Sequence, residues 1–327
     1  MQHEPNGALE TWAVLGASGF VGRAVVEAAM DRGVSVRPVS APRLEWTPES
    51  ADPELLLRAA REHHATSLLV EALSGADVCI NAAGAASPDA ADSEGLRGAN
   101  ALLPVVAAHA AEQASVRRFI HLSSAAVQGA QRILDDSPRT APFSPYSRSK
   151  ACGEIGLRAF AEGRGTGTEV IVIRATSVQG PGRPTTRSLQ SIARTPLSSV
   201  AHPGTHRSAV SSVAGLARFV SDVAESPRDL GGRILLQPWE GATVRNVLTV
   251  AGDRVPARIP QWTATVVVAA GKLIGHAIPK FAGLSRRLEV MWFGQDQEPL
   301  FYDDIGSARG REMTDELRRV LSESAGQ

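Results

Sequence analysis

Three glycines, Gly16, Gly19 and Gly22, stand between a short apolar run, Trp12-Ala13-Val14-Leu15, and a stretch whose apolar residues Val21, Ala24, Val25, Ala28 and Ala29 recur at helical spacing up to Gly33. The run reads as a buried strand and the stretch as a helix. Glycines at such a joint allow a tight turn and let backbone N–H groups approach a ligand, and the helix N-terminus adds partial positive charge beneath it. A strand, a glycine turn and a helix in this order form the place where an α/β fold cradles a pyrophosphate, although the first gap is one residue longer than in the common G-x-G-x-x-G spacing. Gly16, Ser18, Gly19, Phe20, Val21 and Gly22 are therefore the candidate residues for holding a dinucleotide.

The rest of the chain repeats the alternation. Residues 34–39 read as a second strand, 53–64 as a helix, 77–82 as a strand closed by the turn at Ala83-Gly84, and 100–114 as a helix limited in its first turn by Pro104. Residues 116–123 read as a strand, 146–162 as a helix and 169–174 as a strand. Strands alternating with helices imply a parallel sheet covered on both faces. The expected fold class is α/β, a Rossmann-type doubly wound sheet over residues 11–180, with a flexible tail at 1–10. A smaller substrate-binding lobe is expected over 181–327, interleaved with the sheet domain. Gly, Pro, Ser and Thr crowd residues 180–208, which suggests a long loop or the entry to that lobe. A helix over 213–226, a strand over 233–237 and a closing helix over 313–322 follow, and no internal repeat is visible.

Bulk properties exclude several classes. Acids and bases balance at 34 each, so no broad electrostatic pull toward nucleic acid or acidic membranes is expected. Cys79 and Cys152 have neither disulfide-framework nor metal spacing, no His/Cys/Asp set suggests a metal, and two free thiols fit a reducing cytoplasm. The polar, acidic first ten residues do not read as a signal peptide. Residues 263–279 are apolar but short for a span and interrupted by Lys272 and His276; they read as a buried or groove-covering helix in preference to the alternative, a membrane-surface contact.

The chemistry is carried by a sparse pair. The chain has only two tyrosines, and its 34 basic residues include just three lysines, yet Lys150 follows Tyr146 by four positions. Residues four apart on a helix share a face. An ammonium beside a phenol favours the phenolate and makes the hydroxyl a usable acid and base near neutral pH, a task for which the guanidinium of Arg is no substitute. Ser124 falls at the carboxyl end of the strand at 116–123, the edge where open α/β sheets bind ligands. A serine hydroxyl, a phenol and an ammonium facing a nicotinamide form a hydride-transfer site. At the end of the second strand, where NAD enzymes carry an acid for the ribose, the sequence reads Arg37-Pro38-Val39-Ser40-Ala41-Pro42-Arg43. Arg37 and Arg43, with Ser40, suit a 2′-phosphate, so NADP is the preferred cofactor over NAD.

These motifs resemble the extended short-chain dehydrogenase/reductase family of nucleotide-sugar epimerases, dehydratases and ketoreductases. The resemblance runs over residues 11–182. It is carried by the three glycines, Asp77 through Asn81-Ala82-Ala83-Gly84, Asn100, Ser123-Ser124 through Gly129, Tyr146 through Lys150, and Arg174 through Gly182. It implies that Ser124 holds the substrate oxygen, that Tyr146 moves the proton, and that Lys150 grips the nicotinamide ribose and tunes the tyrosine. It also implies cofactor contacts from Asn81, Ala82, Ala83, Gly84, Asn100, Leu122, Ser123, Ala175, Ser177 and Val178, and substrate contacts from Ala125, Ala126 and Arg207. The family commonly pairs through the helices bearing Tyr146 and Asn100, which implies a homodimer. The long third strand ending in Gly-Asp is missing, and Arg43 through Trp46 with the Asn81–Gly84 segment is similar to the 4-keto-sugar reductases of dTDP-rhamnose synthesis. The expected function is an NAD(P)-dependent oxidoreductase that reduces a ketone, a nucleotide-linked 4-keto sugar as first choice. An epimerase or dehydratase with tightly bound NAD, a reductase of a steroid-like apolar ketone, and a cofactor-sensing regulatory protein are the alternatives. His63-His64 and Asp135-Asp136 read as solvated, His202 and His206 as surface loop, and Trp239, Trp262 and Trp292 as core.

Overall fold

In a computed structural model the structure describes residues 10–48, 51–86, 91–163, 167–277, 279–298 and 312–323. The tail expected at the N-terminus therefore lies, but for Glu10, outside the described residues. The chain divides into two compact units, each built from discontinuous segments. The first comprises residues 1–129, 138–175 and 217–235, and the second 130–137, 176–216 and 236–327.

The first unit is organised on a six-stranded sheet of order β10-β6-β4-β3-β1-β2. Its strands are β1 (Thr11–Leu15), β2 (Ser35–Val39), β3 (Val78–Asn81), β4 (Arg118–Ser124), β6 (Glu169–Ala175) and β10 (Ile234–Leu236). The pairs β1–β2, β1–β3, β3–β4 and β4–β6 are all parallel. The chain leaves β1 toward β2 on one side and returns on the other as β3. The connection reverses direction there, and the crevice at such a reversal is where these sheets bind ligands. Among the described residues no strand lies beyond β2, in keeping with the missing third strand.

The helices are α1 (Phe20–Asp31), α2 (Pro53–Glu62), α3 (His64–Leu73), α4 (Glu94–Arg97), α5 (Leu103–Gln113), α6 (Pro145–Glu162) and α8 (Val213–Glu225). One buried cluster joins Ala13, Leu15, Cys79, Phe119 and Val172 of the sheet to residues of α2, α3, α5 and α6, so these four helices cover one face. Strand alternation turns Val14, Ile80 and Ile120 to the other face. Arg32 beyond α1 pairs with Asp222 and Glu225 of α8, at 2.7 and 2.6 Å.

Three departures from the sequence reading have clear causes. The helix expected over 53–64 stops at Glu62 and restarts at His64. His63 is extended, and its Nδ1 accepts the Ala65 amide at 3.1 Å, so this half-buried histidine is a helix cap rather than a solvated side chain. The helix expected to start at Asn100 begins at Glu94 and passes through a π-turn, Gly98–Leu102, before α5. Pro104 has no N–H to offer the Asn100 carbonyl, and the Leu103 amide reaches back five residues to Gly98 instead. Residues 103–111 of α5 are all buried within the chain. The alanine-rich helix is covered by its neighbours α2, α3 and α6 and is no open surface for pairing.

The second unit contains the short parallel pairs β7 (Ser177–Gln179) with β9 (Val210–Ser212), β8 (Ser199–Ala201) with β11 (Ala257–Ile259), and β5 (Ile133–Asp135) with β12 (Asp296–Glu298). Its helices are α7 (Pro184–Arg194), α9 (Val244–Gly252), α10 (Gln261–Ala277), α11 (Pro279–Phe293) and α12 (Asp315–Ser322). The stretch read as a long loop or the entry to a second lobe holds α7 and β8. Helix α7 follows Arg183 with Pro184 in its first turn, a position where the missing N–H costs nothing. Asp136 is not simply solvated, because its Oδ1 accepts the Leu236 amide at 2.6 Å. Trp292 is core and Trp239 half-buried, but Trp262 is 71% exposed.

Candidate active site

The glycine loop is built as its sequence requires. Gly16 follows β1 with φ of +76°, a conformation L side chains rarely adopt, and a Cβ there would sit 2.8 Å from the Ala83 amide. The Gly19 amide closes the turn on the Gly16 carbonyl at 2.9 Å. Helix α1 starts next with no side-chain cap on its first amides and no acid in its first turn, so its positive end is left for a ligand. Ser18 and Gly19 are exposed, Phe20 and Val21 half-buried, and Gly22 is packed into the turn. Across the crevice the Ala82 amide bonds the Leu15 carbonyl at 3.0 Å, and Asn81 Oδ1 accepts the Ala83 amide at 3.1 Å. The Asn81 Nδ2 is buried with no hydrogen-bond partner. A cradle that a Cβ would fill, an uncapped helix start and an orphaned amide fit a dinucleotide pyrophosphate and its flanking sugar.

At the end of β2, Ser40 and Arg43 are exposed. Arg37 is committed elsewhere: its Nη1 donates to the carbonyls of Ala72 and Ser74, at 3.2 and 2.8 Å, near the end of α3. Strand alternation turns this guanidinium toward the carbonyls at the end of α3.

The catalytic candidates gather at the carboxyl edge of β4. Ser124 is its last residue, and its Oγ caps the 3₁₀ turn Ala125–Gln128 by accepting the Ala126 amide at 3.2 Å, which leaves its O–H to donate. Ala125 is buried and Ala126 half-buried in that turn. Helix α6 is started by a capping box between Ser144 and Ser147 with Pro145 at the first position, which places half-buried Tyr146 in the first turn. One turn on, Lys150 is buried, and its Nζ donates to the Leu122 carbonyl at 2.9 Å. The ammonium is thereby tied to the strand two residues before Ser124. Burial pulls the Lys150 pKa down to about 8, against the opposing pull of Glu154. A Cβ on Gly84 would stand 3.0 Å from Nζ and 2.9 Å from Asn100 Oδ1. Asn100, projecting from the π-turn, accepts the Ala85 amide and donates to the Ala85 carbonyl and to Ser149 Oγ, each at 3.0 Å. It pins the loop after β3 to α6, which is a supporting role.

Two buried groups escaped the sequence reading. Glu154, four residues beyond Lys150, accepts Ser123 Oγ at 2.5 Å and pairs with Arg174 at 2.7 Å, with both ionic side chains sealed from solvent. This assigns Ser123 and Arg174 to the seam between α6 and the ends of β4 and β6. The clue was available, because an arginine inside the apolar run Glu169–Ala175 needs a carboxylate if the strand is buried. His121, opposite Asn81 in register, is fully buried with neither ring nitrogen hydrogen-bonded. Burial and the Lys150 charge hold its pKa well below the usual value, so the ring is neutral.

Ala175 ends β6 opposite Ser124. Ser177 and Val178 belong to β7 in the second unit, where Ser177 Oγ accepts Gln179 Nε2 at 3.0 Å. Arg207, also in the second unit, lies over the Trp239 ring at 4.6 Å and pairs with Asp296 at 3.2 Å.

A family model described as "NAD dependent epimerase/dehydratase family" matches residues 12–203. The chain is 33% identical over 178 residues to a 4-hydroxy-2-methyl-3-oxo-4-farnesyl-3,4-dihydroquinoline-1-oxide ketoreductase of Stigmatella aurantiaca, over 51% of this chain and 50% of that protein. The match thus spans half the length of this curated relative. Among solved structures, MoeE5 in complex with UDP-glucuronic acid and NAD is 20% identical with a TM-score of 0.59, over 96% of this chain and 97% of that one. The UDP-N-acetylglucosamine 4-epimerase from Methanobrevibacter ruminantium M1 is 17% identical with a TM-score of 0.63, over 97% of both chains. Human epimerase family protein SDR39U1, with NADPH, is 17% identical with a TM-score of 0.59, over 96% of this chain and 99% of that one. The fold is shared with all three. With the match covering more than half its length and the glycine cradle and Tyr146–Lys150 helix in place, the chain belongs to the NAD-dependent epimerase/dehydratase family.

Proposed function

We propose that this protein is an NAD(P)-dependent ketoreductase acting on a largely apolar ketone. The observation that carries the reading is the bond from Lys150 Nζ to the Leu122 carbonyl, which ties α6 with Tyr146 to the strand end that carries Ser124. Gly16, Gly19, the first turn of α1 and Asn81 hold the dinucleotide, which supplies the hydride when bound. Ser124 donates its O–H to the carbonyl oxygen of the substrate, and Tyr146 delivers its phenolic proton to the same oxygen as charge builds there. Lys150 lowers the cost of the phenolate that remains and holds the ribose. The relative named as a ketoreductase of a farnesylated ring system supports an apolar substrate. So does Arg207, whose engagement with Trp239 and Asp296 leaves it less suited to a nucleotide-sugar diphosphate. The second unit would bind that substrate, and a cytoplasmic setting suits the reduced cofactor.

Net consumption of NAD(P)H with a panel of aryl and prenylated ketones tests the assignment; turnover of UDP-sugars without added cofactor would replace it with epimerisation. For the cofactor we propose NADP, now on Arg43, Ser40 and the lack of a carboxylate at the end of β2. Arg43→Ala is expected to reduce the kcat/KM preference for NADPH over NADH by about tenfold, the worth of one exposed charge-assisted phosphate contact. An unchanged ratio rejects Arg43 as the reader. In pH profiles, kcat/KM is expected to fall above about pH 8, where Lys150 loses its proton and no longer supports the phenolate. A profile flat to pH 10 would remove that role.

A further inference from the structure

We propose that α10 docks its outer face on an anionic lipid surface. Ala264 and Val268 turn inward to a small core with Ala201 and Trp292. The opposite side was expected to be covered and is not: Trp262 is 71% exposed, Val266 60%, Leu273 74%, and Val267 and Ile274 over 40%. Positions 262, 266 and 273 fall on one line of a helix, with exposed Ala269 and Ala270 between them. The helix has 17 residues, and no helix among the described residues is long and apolar enough to cross a membrane. A helix with an unpartnered apolar stripe that cannot span lies in the interface, with a tryptophan near one end as the anchor.

Charge chooses the occupant. Acids and bases cancel over the whole chain, yet residues 254–289 hold Arg254, Arg258, Lys272, Lys280, Arg286 and Arg287 against the single acid Glu289. Glu289 is already shared by Lys272 and Arg286, at 2.7 and 3.1 Å, and the segment that carries the stripe is basic by sequence. Two copies meeting through this face would bring like charges together, whereas an anionic surface neutralises them and gains roughly fivefold in binding for each basic residue near it. This extends beyond the reductase assignment and does not depend on it.

The test uses the full chain in vesicle sedimentation. Vesicles with about one-third phosphatidylglycerol are expected to carry the protein down and pure phosphatidylcholine vesicles to do so poorly, with binding falling as salt rises. Val266→Glu and Leu273→Glu, both on exposed positions, are expected to lower binding roughly tenfold each while leaving the circular dichroism spectrum and thermal transition unchanged. Protein that stays in the supernatant with phosphatidylglycerol, or variants that bind as the parent does, overturns the proposal. So does a lipid-free dimer in gel filtration that these variants split, because the face would then belong to a second copy.

Discussion

Tyr146→Phe is expected to reduce kcat by about 10³-fold, the usual worth of a positioned general acid, while dinucleotide affinity stays within a few-fold. The phenol lies in the first turn of α6, and the change deletes one oxygen without disturbing the Ser144–Ser147 box or the buried Lys150. The cradle at Gly16–Gly22 is untouched. The loss should appear in single-turnover hydride transfer, with the cofactor followed separately by fluorescence. Activity near the parent level would mean that another group moves the proton, and the ketoreductase reading would lose its acid.

The second large effect concerns stability. Glu154→Ala leaves Arg174 charged and fully enclosed in β6 and strips Ser123 of its acceptor. Breaking a buried pair on one side costs about 3–5 kcal/mol, which for a protein of this size lowers Tm on the order of 10 °C. Replacing both partners, Glu154→Leu with Arg174→Met, is expected to recover most of that loss, since apolar residues of similar volume substitute well for a buried ion pair. A melting curve unchanged by Glu154→Ala would show the pair to be energetically idle. Because the pair fixes α6 against the ends of β4 and β6, the single variant should also lower kcat more than its folded fraction explains.

How much of this was legible in the sequence depends on the range of the interactions. Gly16, Gly19 and Gly22 could be read because a turn and a helix start are local. Tyr146 and Lys150 could be read because helical spacing alone puts them on one face. Arg37 and Arg43 looked equivalent, because each stands three residues from Ser40 in the chain and chain distance is no guide to direction. The carbonyls of Ala72 and Ser74, which take Arg37, come from a helix more than thirty residues away. Glu154 and Arg174 likewise become a pair only when a helix and a strand twenty residues apart are laid together. His63 deceived for a subtler reason: a histidine beside another at a helix end looks solvated until its ring caps the next helix.

By itself the sequence determined the alternation of strands and helices and the glycine turn, and it put forward Ser124, Tyr146 and Lys150 as the trio proposed to react, all through periodicity and spacings of a few residues. Only the tertiary structure decided which charges are spent in the interior, that α5 is enclosed by its own chain, and that α10 turns an apolar stripe outward. Periodicity tells a helix that it has an apolar side; what covers that side depends on elements distant in the chain.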